Sequence, residues 1–250
     1  MIYYIYDGTF EGFLTAIQAA FHAEERPEKI IPGENYQPSF FAEIEEIESC
    51  PEKAERVQEG IKEELSSKSY RLIHHAFLSE LENIEICIYD YLRLAFITER
   101  KVEENWQDES VKRVKDAAGK VRRERHRFKG LLRFRELKDG TLYGPYGPDY
   151  NITGLLVPHF ANRLATEQGI IHDRKRDIAA IFSQGNWEVL DSSEIAAPES
   201  REYARREDDY QQLWQSFFDS IGIEGRKNPE LQQSLMPKKY WQFLIEKPRS

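Results

Sequence analysis

Cysteine is scarce in this chain: Cys50 and Cys87 are the only two among 250 residues, and no metal-ligand spacing links them. A disulfide scaffold, a four-cysteine zinc site and an iron–sulfur cluster are therefore excluded as features built within the chain. No apolar run approaches the roughly 20 residues that a membrane span requires. The opening Met1-Ile2-Tyr3-Tyr4-Ile5-Tyr6-Asp7 has neither the basic start nor the apolar stretch of a secretory signal. A soluble, cytoplasmic protein is expected. The GxxxxGK[ST] loop, the GxGxxG fingerprint, the HExxH helix and the GxSxG elbow are all missing from the sequence. No cofactor and no metal are expected.

Aromatic residues, by contrast, are plentiful: 14 Phe, 13 Tyr and 4 Trp. They argue against disorder despite a mean hydropathy of −0.68. The length suits one large domain or two small ones. Ile2 to Tyr6 reads as a short strand, and Asp7-Gly8-Thr9 as a turn and cap before a helix carrying Phe10, Phe13, Leu14, Ile17 and Phe21 on one face. Residues 43–64 hold nine Glu against Lys53, Arg56 and Lys62, the pattern of a solvated helical face. From 67 to 100, Ile73, Phe77, Leu81, Ile84, Ile88, Tyr91 and Ala95 step by three or four, which predicts one long helix. The adjacent His74 and His75 point about 100° apart on such a helix and cannot share a metal.

The charge sign then reverses. Residues 111–138 carry 12 Lys or Arg against Asp116, Glu124 and Glu136, a local +9 in a chain whose net charge is −9. The rest of the chain therefore holds −18, and segregation of this kind steers ligands. Arg122-Arg123-Glu124-Arg125-His126-Arg127-Phe128-Lys129 leads into a strand expected over 130–137, with Arg133 and Arg135 on one face and Leu132 and Phe134 on the other. Asp139-Gly140 signals a hairpin to Thr141-Leu142-Tyr143. Residues 144–149 read as a turn-rich loop, and Pro158 as the opening of a helix with His159 and Arg163. Ile170-Ile171-His172-Asp173 is β-like. A second hairpin is expected around Ser183-Gln184-Gly185-Asn186. Tyr210, Leu213, Trp214, Phe217, Phe218 and Ile221 fit a later helix, and Pro229 can begin another. Glu207-Asp208-Asp209 reads as that helix's dipole-complementing first turn.

An α+β fold is expected: a small, mainly antiparallel sheet with helical N-terminal and C-terminal parts. Residues 1–110 form an N-terminal strand with helices, 111–205 a basic α+β centre, and 206–250 a C-terminal helical region. These are compatible with separate domains or with one compact unit. The arginine-rich segment suits nucleic acid, since several cations along one surface release condensed counterions and guanidinium forks match phosphate. Pairing with the acidic residues 43–64, or with a protein partner, are the alternatives. His172 and Asp173 are the candidates for acid–base work, although neighbours on a strand face opposite ways. The loop Gly222-Ile223-Glu224-Gly225 faintly resembles a phosphate-clamping hairpin, yet Glu224 would repel phosphate.

Several motifs together resemble a bacterial family assigned to DNA metabolism or DNA repair. They are Tyr6-Asp7-Gly8-Thr9-Phe10-Glu11-Gly12-Phe13, Arg127-Phe128-Lys129-Gly130-Leu131-Leu132-Arg133-Phe134, Pro158-His159-Phe160-Ala161-Asn162-Arg163 and Ile171-His172-Asp173. Near the end come Leu213-Trp214, Ile223-Glu224-Gly225-Arg226-Lys227-Asn228-Pro229 and Met236-Pro237-Lys238-Lys239-Tyr240-Trp241. In that family the gene commonly accompanies one for a radical SAM protein, and some relatives are fused to a uracil-DNA-glycosylase-like domain. The resemblance implies a DNA context and carries across no catalytic residues. Glycosylase activity is expected to come from another polypeptide. The reading that follows is a DNA-binding accessory or processing factor acting with a radical SAM partner. Arg122, Arg123, Arg125, Arg127, Lys129, Arg133 and Arg135 are its phosphate contacts, with His159, Arg163, His172 and Arg174 on the same face. Arg226, Lys227, Lys238 and Lys239 extend it, and Tyr240 or Trp241 stack on an exposed base. The alternatives are an adaptor that binds no DNA but holds the radical SAM enzyme through the aromatic C-terminal helices, and an enzyme acting on a damaged base.

Overall fold

β-branched and aromatic residues make Ile2–Tyr6 the first strand, β1, in the computed structural model of the chain. The structure describes residues 1–38, 41–98, 107–194, 202–223, 225 and 228–247. It divides into two units, Met1–Arg122 and Arg123–Ser250. The α+β expectation holds in each.

In the first unit, β1 is the middle of a parallel sheet, flanked by β2 (Lys29–Pro32) and β3 (Glu43–Glu46) in the order β2-β1-β3. Helix α1 (Phe10–His22) begins where expected: the Thr9 hydroxyl accepts from the Gly12 amide, and its own proton goes to Asp7. Helices α2 (Pro51–Gly60), α3 (Ser67–Phe77) and α4 (Ile84–Thr98) complete the layer. Phe13, Ile17, Ile61, Ile73, Ile84, Ile88 and Leu92 form the core together with Val111 and Val114 of α5 (Glu109–Leu131). The border between the units falls inside α5.

The second unit holds a five-stranded sheet, order β4-β5-β6-β7-β8. Its strands are β4 (Arg135–Glu136), β5 (Leu142–Tyr146), β6 (Gln168–Asp173), β7 (Ile178–Ser183) and β8 (Asn186–Asp191). Only β5 and β6 run parallel, joined by α6 (Thr153–Arg163); the other pairings are antiparallel, as expected. The Gln184-Gly185 turn has positive φ at both residues, 51° and 80°, the geometry that matches strand twist in a two-residue hairpin. Helices α7 (Glu207–Ser220) and α8 (Pro229–Leu235) and a 3-10 segment, Lys238–Phe243, follow.

Five sequence expectations need correction. The acidic residues 43–64 are not one helical face: Glu43–Glu46 pairs with β1 as β3, and the helix begins only at Pro51. The long helix over 67–100 is two helices, separated by a turn in which Glu80 and Asn83 take φ of 50° and 57°. The apolar period runs through that break because Phe77 and Leu81 pack against the same core as Ile84. The strand over 130–137 is mostly helix and connector: Phe128 and Leu132 are buried four apart, so α5 continues to Leu131 and only Arg135–Glu136 pairs. Residues 144–146 are strand, not loop. Pro145 is tolerated there because β4 ends opposite Tyr143, which leaves that edge of β5 without a ladder partner among the described residues. Pro158 lies inside α6, not at its start; the hydrogen bond it removes is offset by the buried Leu156, Val157, Phe160 and Ala161.

Candidate nucleic-acid interface

Helix α5 carries most of the basic run, and its burial pattern decides which cations reach solvent. In its first half, Lys112, Arg113 and Lys120 line a groove of about 350 Å³ with Glu82, Glu109 and Asp116, so the charges there are balanced. Arg122 and Arg123 are exposed, and so is His126. Arg125 is half-buried, and its Nε has no hydrogen-bond partner. Arg127 is half-buried and donates to the Ser234 carbonyl at 3.4 Å.

The lone acid in this stretch, Glu124, faces inward and is buried. Its carboxylate accepts the Asp149 and Tyr150 amides at 2.8 and 2.9 Å and the Tyr240 hydroxyl at 2.5 Å. Arg176 closes the same loop from the other side, donating to the Pro148 and Asp149 carbonyls. Glu124 thus ties α5, the loop after β5 and the C-terminal 3-10 segment together. Sequence reasoning passed over it, although a single carboxylate in a run of cations was the available signal.

Two cations near His159, Lys129 and Arg163, lie where α5 and α6 end. Lys129 occupies the last turn of α5 and Arg163 the last turn of α6, positions the helix dipole favours for cations. His159 precedes Arg163 by four residues, on the same side of α6. Burial lowers the His159 pKa from its ordinary 6.5, and Lys129 and Arg163 push it further down. Among the described residues no carboxylate pairs with Lys129, His159 or Arg163.

Other predicted contacts are committed elsewhere. Arg133 forms a two-pronged pair with Glu246 at 3.1 and 2.5 Å, and its guanidinium stacks 5.0 Å from the Trp214 ring. The Glu246 side chain has no exposed surface, and Arg133 neutralises it. Arg135 donates to the Tyr203 hydroxyl at 3.3 Å. The expected arginine ladder is absent, because β4 spans only two residues and Arg133 precedes it. Tyr240 is 1% exposed, with its hydroxyl on Glu124, so it presents no face to a base. Trp241 is half-buried and donates to the Met236 carbonyl at 2.9 Å. Lys239 pairs with Asp149, and Lys238 lies exposed, 6.0 Å from the Trp241 ring. Arg174 is exposed after β6. Arg226 and Lys227 lie outside the described residues, as does Glu224.

His172 and Asp173 are both buried on β6 and do not act together. His172 Nδ1 meets the Tyr143 hydroxyl at 2.9 Å, and its Nε2 lies 3.4 Å from Asp177. Asp173 accepts from the Lys175 and Arg176 amides and from the Arg176 guanidinium. Burial pushes its carboxyl up, while those hydrogen bonds pull against it. These contacts pin the turn after β6 and leave no acid–base pair facing solvent. Among the described residues, no group of three or more His, Cys, Asp or Glu side chains could hold a metal ion. No described helix is long and apolar enough to cross a membrane.

A family model described as a domain of unknown function, DUF4130, matches residues 82–246. That span holds all of α5 and the sheet of the second unit. No curated protein matches the chain.

Proposed function

The chain belongs to the DUF4130 family, and from that premise we propose that it is a DNA-binding accessory or processing factor in DNA metabolism or repair. The observation that carries this reading is Lys129 and Arg163, two cations near a neutral His159 that no described carboxylate pairs, continued along α5 by the exposed Arg123. Cations without carboxylate partners retain their affinity for phosphate, whereas Arg133 and Lys239 have already given theirs to Glu246 and Asp149. Phosphate contacts of this kind supply affinity and position and read no sequence, which suits an accessory role. Work beside a radical SAM protein is the part of the proposal supported by the family resemblance alone.

The test is the salt dependence of DNA binding. Replacing Lys129 and Arg163 together by Ala should reduce the slope of log K against log salt by up to about two, since each phosphate contact contributes about 0.9 on duplex DNA. Lys138→Ala should leave the slope unchanged, because that ammonium pairs with Glu202. A double variant with the parent's slope would refute the assignment.

A further inference from the structure

Of Lys129, His159 and Arg163, only the histidine can change its charge near neutral pH. It stands one turn before Arg163 on α6, half-buried, with its ring edge-to-face on Phe160 at a centroid distance of 5.0 Å. Among the described residues neither of its ring nitrogens has a hydrogen-bond partner. His172 and His22 differ: Nδ1 of the first meets the Tyr143 hydroxyl at 2.9 Å, and Nδ1 of the second lies 2.8 Å from the Gln18 carbonyl oxygen. His159 therefore keeps both nitrogens for a ligand.

The charges felt at His159 are those of Lys129, from α5, and Arg163, from its own helix. Helix α6 also packs on β6, β7 and β8. The acids of those strands are engaged or turned away. Asp173 is bonded to Arg176 and Asp191 to Ser193, while Glu188 faces away from Val189, which packs beside Gly154 of α6. From the connector that lays Phe134 on Phe160, Arg133 is paired with Glu246 and Arg135 is bonded to Tyr203. Burial and the two cations all disfavour a third positive charge at the ring. An arriving phosphate reverses that balance, because it answers Lys129 and Arg163 and offers an acceptor to a protonated imidazole. A phosphodiester keeps its single negative charge near neutral pH, so the proton comes from solvent. We propose, resting on the DNA-binding proposal above, that His159 is a proton-linked contact: it is neutral in the free chain and takes up one proton when a nucleic-acid phosphate docks beside Lys129 and Arg163. Coupling of this kind is reciprocal, so acidification tightens binding by the same factor.

The test is anisotropy of a labelled DNA duplex with the full chain at about pH 5.5 and about pH 7.5, each across a salt series. The parent should bind more tightly at the lower pH, by up to about tenfold per pH unit for one linked proton. Its slope of log K against log salt should steepen there by about 0.9, one further phosphate contact. His159→Gln keeps a polar side chain at a half-exposed position and should lose most of both changes. His159→Lys supplies a fixed cation and should show the steeper slope at both pH values. His22→Gln, at the end of α1 in the other unit, should respond to pH as the parent does. The exposed His126 of α5 is present in every one of these chains, so any proton it binds cancels in the comparison. Circular dichroism verifies that the variants fold. A His159→Gln chain with the parent's full pH response would overturn the inference and leave the DNA-binding proposal standing. No binding by the parent at either pH would strike that proposal, and this inference with it.

Discussion

Arg133 and Glu246 show how a basic run can be consumed from within. In sequence Arg133 is one of 12 cations in 111–138 and Glu246 stands more than a hundred positions away, so nothing local announces the pair. Burial alone would raise the Glu246 pKa; the hydrogen bond and charge of Arg133, with the Trp214 indole, outweigh it and hold the carboxyl below its ordinary 4.5. A depressed carboxylate contributes stability that is present above its unfolded value and lost as pH falls through its folded value. Glu246→Gln should therefore destabilise the second unit at pH 7, by about 1–3 kcal/mol, because it removes the charge that answers a largely buried guanidinium. The gap to the parent should narrow below about pH 4. Urea unfolding at the two pH values, followed by tryptophan fluorescence, checks it; a gap that stays constant with pH would show that charge is not the cause. Glu124 teaches the complementary point. Its position in the sequence was visible, while its role depends on where residues 149, 150 and 240 fold back to meet it.

Among the elements, those with strong local chemistry were legible and those defined by long-range pairing were not. The Gln184-Gly185 and Asp139-Gly140 turns, the Thr9 cap and the Pro229 helix start all follow from residues within a few positions. The parallel partners of β1 escaped notice because β2 is only Lys-Ile-Ile-Pro and β3 is Glu-Ile-Glu-Glu, exposed throughout. Neither is a strand until β1 lies between them. The break between α3 and α4 was hidden for a different reason: both helices feed one core, so the apolar period never falters. Packing of β6 on β7 is equally invisible from local pattern, yet it is tight. A Cβ at Gly169 would stand 2.3 Å from the Phe182 ring and 3.0 Å from the Leu142 carbonyl oxygen. Gly169→Ala should lower thermal stability by about 1–3 kcal/mol through overpacking. Gly130→Ala, which meets nothing within 4 Å and sits in a helix, should be neutral or slightly stabilising. Calorimetry of the two variants compares them directly.

For the whole molecule, the charge segregation seen in sequence is too broad a description of the candidate site. Of the cations in 111–138, some balance Glu109 and Asp116 in the groove of the first unit, and Arg133 answers Glu246. Those for which no described carboxylate partner is found include the exposed Arg122 and Arg123 and, near the end of α5, Lys129, which lies close to His159 and Arg163 of α6. The sequence had named every member of that cluster, but it could not rank them above Arg135 or Tyr240, because ranking needs to know which polar groups are already satisfied. The catalytic candidates fared differently: His172 and Asp173 fold into the scaffold of β6. The most direct test of the account is anisotropy of labelled single-stranded, duplex and uracil-containing duplex DNA titrated with the full chain across a salt series. Binding that is tight at low salt and falls steeply as salt rises is the predicted result. No binding to any of the three probes at low salt would contradict it.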